Sequence, residues 1–111
     1  MDPELVKGTL SLLILSLLTR KPMYGYEMAA TVHAETDGAF EWKEGSLYPS
    51  LHNLERAGLV SSQWEGEAGS RRRKYYYLTE AGRSALATKT LSWRKLCQAI
   101  DQVLEGHHGA D

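Results

Sequence analysis

The densest group of like charges in the chain is a run of four cations, Arg71, Arg72, Arg73 and Lys74. Adjacent guanidinium and ammonium groups favour phosphate oxygens as partners, because each contact is a charge-assisted hydrogen bond. The excess is local: residues 61–83 hold 5 basic and 3 acidic side chains, whereas residues 1–60 hold 5 basic and 8 acidic ones. Because the whole chain has a net charge of −1, attraction to a polyanion must come from this run and not from bulk charge. The alternative is a solvated charge run on a hairpin.

Residues that could support catalysis or bind a metal are scattered along the chain. The four histidines, His33, His52, His107 and His108, share no metal-ligand spacing with the one cysteine or with a carboxylate set. No Ser/His/Asp arrangement or glycine-rich phosphate loop is present, so we expect no enzyme, no metal and no cofactor. The single cysteine, Cys97, excludes an internal disulfide. We expect a buried inert thiol there, with a redox sensor as the alternative.

A second polar set falls on a predicted helix. Leu47, Leu51 and Leu54 have the i, i+4, i+7 spacing of one buried helical stripe. Ser46 is the predicted N-cap, Pro49 would lie in the first turn, and Gly58 would end the helix. Burying the stripe turns the remaining polar and aromatic side chains outward: Ser46, Tyr48, Pro49, Ser50, Asn53 and Arg56. Such a face either reads base edges in a DNA groove or is an ordinary solvated surface.

The other elements must position these two sets. A chain of 111 residues with 42% hydrophobic side chains predicts one small domain. Apolar periodicity predicts a first helix, buried nearly all round, over 2–19 and a second over 24–35, closed by Asp37 and Gly38. β-compatible residues predict a two-stranded hairpin over 59–64 and 72–78, with a turn at 66–70. Strand alternation would point Arg71 and Arg73 one way, and Arg72 and Lys74 the other.

A long last helix is predicted from a cap at Thr79 to about residue 105, followed by a loose tail over 107–111. Its apolar stripe comprises Leu86, Trp93, Leu96, Cys97, Ile100 and Leu104. A domain of this size has little surface against which such a stripe could be buried. We therefore predict that these residues form a homodimer interface, in which the first helix joins.

Four motifs in order resemble the PadR-like family of transcriptional regulators. They are Gly25-Tyr26-Glu27, Gly45-Ser46-Leu47-Tyr48-Pro49, Leu51-x-x-Leu54-Glu55-x-x-Gly58-Leu59-Val60 and Arg73-Lys74-Tyr75-Tyr76-Tyr77-Leu78-Thr79-x-x-Gly82. The resemblance covers roughly residues 5–105, and the short C-terminal region is similar to the family's short subgroup. It implies a mainly α fold with a small β-hairpin: a winged helix-turn-helix with a C-terminal dimerisation helix. Tyr26 would then touch a phosphate or pack beside the recognition helix.

We therefore predict a homodimeric, cytoplasmic DNA-binding regulator that acts as a repressor on a pseudo-palindromic operator. Residues 1–80 would bind double-stranded DNA and residues 81–106 would dimerise. A pair of Trp93 rings near the two-fold axis could stack a flat aromatic effector that releases the DNA, with simple interface packing as the alternative. Two other functions stay open: a winged-helix module for protein–protein contact, and an aromatic-ligand-binding dimer without an operator. Neither requires a membrane.

Overall fold

A computed structural model describes residues 7–67 and 69–106. Within them the chain forms four α-helices and three strands. In chain order these are α1 (Leu10–Leu18), β1 (Met23–Tyr24), α2 (Gly25–Glu35), α3 (Glu44–Arg56), β2 (Val60–Glu65), β3 (Arg73–Leu78) and α4 (Glu80–Leu104), and a 3-10 turn (Lys7–Thr9) precedes α1. The strands form one antiparallel sheet in the order β1-β3-β2.

One hydrophobic core holds α1, α2, α3 and the base of the sheet together. α1 is central: Ile14 and Leu15 are fully buried, and its remaining described side chains are buried or half-buried. The predicted stripe of α3 is confirmed, since Leu47, Leu51 and Leu54 all lie in this core. Burying this stripe fixes which face of α3 is left for a ligand.

α3 ends in a Schellman motif, as the glycine at position 58 predicts. The Leu59 N–H donates to the Leu54 carbonyl at 2.9 Å and the Gly58 N–H to the Glu55 carbonyl at 3.0 Å. Gly58 has a φ of 78°, a left-handed conformation that costs glycine little. This turn connects α3 directly to β2, so the C-terminal end of the helix and the base of the hairpin lie side by side.

The beginnings of two helices and the size of the sheet correct the sequence-based prediction. Tyr24 is not helical: it pairs with Tyr75 across β1 and β3, so the predicted hairpin becomes a three-stranded sheet. α3 begins at Glu44 after an N-cap at Lys43, not at Ser46, because the N–H groups of Ser46 and Leu47 already donate to the Lys43 carbonyl. Pro49 therefore lies beyond the first turn, where it leaves the Gly45 carbonyl without its helical donor.

α4 is the longest element and extends beyond the core. Its predicted cap is confirmed: the Thr79 hydroxyl accepts from the Gly82 N–H at 3.0 Å and donates to the Gly58 carbonyl at 2.7 Å. Gly82 is its one buried residue, and its 25 residues make a helix about 37 Å long. The predicted start of the first helix at residue 2 and the predicted tail at 107–111 lie outside the described residues.

Candidate nucleic-acid interface

The outward face of α3 carries the predicted set of polar and aromatic side chains. Ser46, Tyr48, Pro49, Asn53 and Arg56 are exposed, and Ser50 is half-buried. The set is a continuous face because the opposite stripe of leucines is locked into the core. Hydroxyl, amide and guanidinium groups on one accessible helix face have the hydrogen-bonding capacity needed to contact base edges and phosphates.

The four cations of the basic run have different surroundings. The guanidinium of Arg73 lies 4.7 Å from the centroid of the Tyr24 ring, on one face of the sheet. Lys74 lies on the other face, with its Nζ 3.8 Å from a Glu55 oxygen and 5.7 Å from the Tyr76 ring centroid. The predicted alternation is therefore confirmed within β3. It does not extend to Arg71 and Arg72, because they precede the strand.

All four cations nevertheless line one groove between the hairpin, α3 and the beginning of α2. We call it the wing groove and define it by these residues: Tyr24, Gly25, Tyr26, Glu44, Tyr48, Trp64, Arg71, Arg72, Arg73, Lys74 and Tyr76. It joins the basic run to the N-terminal end of α3. A phosphate backbone that follows this groove would pass the cations while α3 faces the bases.

Tyr48 has a position that its residue type alone does not predict. A β-carbon on Gly25 would lie only 2.6 Å from the Tyr48 hydroxyl oxygen and 2.8 Å from the ring carbon that bears it. The ring therefore packs over the bare backbone at the beginning of α2, yet 43% of Tyr48 remains exposed. This residue both fastens α3 to α2 and presents an edge to the groove.

The predicted contacts did not include Tyr24 and Trp64 of the wing groove or His52 of α3, whereas Tyr26 was predicted either to touch a phosphate or to pack. Tyr26 is 72% exposed and Trp64 is 58% exposed, so the described chain gives no support to packing as the role of Tyr26. His52 is exposed on α3 beside Asn53. The signal that could have identified Trp64 was its register opposite Lys74, since paired residues share a sheet face. Tyr24 was missed because a two-residue strand has no periodicity.

The predicted dimer stripe on α4 is mostly uncovered. Trp93, Leu96, Ile100 and Leu104 are exposed, Cys97 is half-buried, and 77% of Leu104 is accessible. Leu86 differs from them, because it packs partly against the core of its own chain. Trp93 borders two surface depressions. One continues along α4 past Arg94, Cys97 and Asp101, and the other lies between α4 and Leu12 of α1.

Within residues 7–67 and 69–106, no group of three or more His, Cys, Asp or Glu side chains could hold a metal ion. No helix there combines the length and the apolar character needed to cross a bilayer.

Three core helices, a hairpin beside the third and a basic edge on that hairpin define a winged helix-turn-helix protein. Residues 14–88 match the model of the family described as Transcriptional regulator PadR-like family. The chain therefore belongs to this family of transcriptional regulators, whose members bind DNA and are not enzymes.

Solved structures agree with the family match. A transcriptional regulator from Clostridium thermocellum superimposes with a TM-score of 0.85 at 29% identity, covering 92% of this chain and 96% of that chain. A PadR family transcriptional regulator from Eggerthella lenta gives a TM-score of 0.81 at 36% identity, covering 94% of this chain and 88% of that chain. The Escherichia coli Transcriptional regulator YqjI is 35% identical over 75 residues, which are 68% of this chain and 34% of that protein. This chain thus matches about a third of that relative's length.

Proposed function

We propose that this regulator is a homodimeric repressor whose α3 helices read two half-sites of a pseudo-palindromic operator. The observation that carries the proposal is the wing groove, which joins the accessible face of α3 to four consecutive cations. In this arrangement α3 enters the major groove, and the wing, formed by β2 and β3, grips the flanking backbone. Residues 1–80 form the DNA-binding part and residues 81–106 the dimerisation part, and the protein acts in the cytoplasm.

The side chains divide by role. Ser50, Asn53 and Arg56 are the proposed base and near-base contacts, with Ser46, Tyr48 and Pro49 at the end of α3 nearest the groove. Arg71 and Arg72 are the proposed principal phosphate contacts, with Arg73 and Lys74 beside them.

The uncovered face of α4 supports the homodimer. A stripe of Trp93, Leu96, Ile100 and Leu104 exposed to water is costly for a single chain, and a second copy would bury it. The charges of α4 favour an antiparallel pair. Arg94 precedes the stripe's centre and Asp101 follows it, so a two-fold axis between them would bring Arg94 towards Asp101 of the partner subunit.

About the same axis the two copies of Trp93 would lie about 13 Å apart along the helices, which leaves room for a guest between the indoles. The two depressions beside each Trp93 leave space next to the indole, and stacked indoles favour a flat aromatic guest. We therefore propose a planar aromatic effector there. Its binding would change the angle between the α4 helices and with it the spacing of the α3 helices.

Selection of bound sequences from a random DNA pool tests the central proposal. A repressor of this geometry should enrich two inverted half-sites whose centres lie about one helical turn or a multiple of it apart. Its affinity for the enriched DNA should fall steeply with salt. Enrichment of nothing, with salt-independent weak binding, would favour a protein-contact module or a ligand-binding dimer instead.

A further inference from the structure

A single carboxylate connects the end of α3 to both strands of the wing. Glu55 lies in the last turn of α3, and its Oε2 accepts a hydrogen bond from the Ser62 hydroxyl at 2.6 Å. Its Oε1 lies 3.8 Å from Lys74 Nζ. Ser62 is on β2 and Lys74 is on β3. One side chain of the helix therefore holds the hairpin at two points.

These contacts form a compact cluster on one face of the sheet. Tyr76 pairs with Ser62 across β2 and β3, and Lys74 Nζ lies 5.7 Å from the Tyr76 ring centroid. Burial, assisted by the negative charge of Glu55, raises the pKa of the Tyr76 phenol above its ordinary value. The carboxylate thus lies beside partly buried groups, where a hydrogen bond to a charged acceptor is stronger than in open solvent.

The Glu55–Lys74 pair differs from the other ion pairs in the elements that it connects. Within residues 7–67 and 69–106, the remaining pairs are Arg20–Glu35, Lys21–Glu27 and Arg83–Glu80, and none of them joins α3 to the wing. The apolar anchors Val60 and Tyr76 hold the base of the hairpin in the core. From Trp64 onward β2 is exposed. Glu55 contacts the hairpin at the boundary between its buried base and its exposed outer half.

A duplex imposes a fixed distance between the groove that α3 enters and the phosphates that the wing grips. A wing free to tilt about its base would lose that distance, because binding geometry must be held by the residues that support it. We infer that Glu55 is a positioning residue that sets the wing against α3, through Ser62 and Lys74, and so sets operator preference. This inference rests on the proposed function.

Two substitutions of Glu55 distinguish the effect of losing its hydrogen bond to the wing from the effect of losing its negative charge. Glu55→Gln and Glu55→Ala each remove one negative charge, so both should raise non-specific DNA affinity equally. Glu55→Gln keeps an acceptor for the Ser62 hydroxyl, whereas Glu55→Ala does not. We expect Glu55→Ala and Ser62→Ala to lose about tenfold in the ratio of operator to random-DNA affinity in the dimer, a factor of about three for each subunit's lost hydrogen bond. Glu55→Gln should retain most of that ratio, because the contact that it loses, with Lys74 Nζ at 3.8 Å, is a long and partly exposed ion pair that contributes little.

A measurement without DNA accompanies the binding assay. Amide hydrogen exchange in residues 60–78 should accelerate in Glu55→Ala and Ser62→Ala and stay near wild type in Glu55→Gln. Glu35→Ala is the matched control, since it also removes a paired carboxylate but one that joins the end of α1 to α2. It should change neither the hairpin exchange nor the affinity ratio.

Equal operator preference in Glu55→Ala and Glu55→Gln, with the wild type selecting its operator, would overturn the inference. Failure of the wild type to select any DNA would instead overturn the proposed function. The exchange comparison then decides the inference alone: faster exchange in Glu55→Ala than in Glu55→Gln supports a role in holding the wing, and equal exchange overturns it.

Discussion

Arg71 and Arg72 differ from Arg73 and Lys74 in the intramolecular contacts of their side chains. Arg73 is stacked on Tyr24 and Lys74 is near Glu55. Arg71 and Arg72 are exposed and have no ion pair among the residues that the structure describes. A cation without an internal partner gives up little when it binds a phosphate, so these two should contribute most to the electrostatic part of DNA binding.

Replacing Arg72 by alanine should therefore weaken specific and non-specific DNA binding alike. Loss of one phosphate contact per subunit lowers the slope of log affinity against log salt by about 0.9, or about 1.8 in a dimer. Arg83→Ala is the matched control, because Arg83 is also exposed but lies in the first turn of α4, near Glu80. Identical salt slopes for Arg72→Ala, Arg71→Ala and the control would show that the run faces solvent.

At the scale of elements, the first turn of α4 packs against the turn that follows α3. Gly82 makes this close contact possible because it has no side chain. A β-carbon at residue 82 would collide with the Leu59 carbonyl oxygen and lie 2.6 Å from the Leu78 Cδ1 atom. The Leu59 carbonyl lies in the turn between α3 and β2, where it cannot shift without disturbing the backbone. The start of α4 is therefore fixed against this turn.

Gly82→Ala should destabilise the fold by about 3 kcal/mol, the upper end of the usual cost of overpacking, measured as the free energy of unfolding in urea. Gly45→Ala is a control of opposite sign. Gly45 also lies in a helix, but a β-carbon there meets nothing within 4 Å, so its replacement should stabilise by about 0.5–1 kcal/mol through helix propensity. Equal stability of the two variants would contradict the close contact at Gly82.

The elements also show why the sequence predicted some features and not others. Stripes such as Leu47, Leu51 and Leu54 repeat at the helical period, and the Gly58 stop is a local signal, so α3 and its exposed face were predictable. β1 has only two residues and exists because β3 pairs with it. The start of α3 was wrong because Ser46 has the residue type of a cap, while backbone bonds to the Lys43 carbonyl begin the helix three residues earlier. The contact of Glu55 with Ser62 was not predictable in this way, because it joins two different elements and sequence periodicity indicates only the structure within one element.

At the scale of the whole molecule, the proposed reading of two half-sites depends on α4. This helix is about 37 Å long, and its apolar stripe is exposed in the single copy. Ile100→Asp would place an unpaired charge in the proposed interface and should convert the dimer into monomer or unfolded chain. Sedimentation at micromolar concentration measures this directly. Ala87→Asp adds the same charge at an exposed α4 position outside the stripe and should remain dimeric. Dimers of equal strength in both variants would place the interface elsewhere.

The proposed effector site is tested by the emission of Trp93. A variant with Trp42 and Trp64 replaced by phenylalanine leaves Trp93 as the remaining tryptophan, and planar aromatic compounds should quench it by stacking. A compound at about 100 times its Kd should also stabilise the folded dimer by about 2.7 kcal/mol. The same compounds should release operator DNA from the wild type. They should not release it from a Trp93→Ala variant that still dimerises, because that variant keeps the interface and lacks the stacking surface. If a broad panel of planar aromatics changes neither the emission nor the DNA affinity, Trp93 has only a packing role, and the dimer prediction is unaffected.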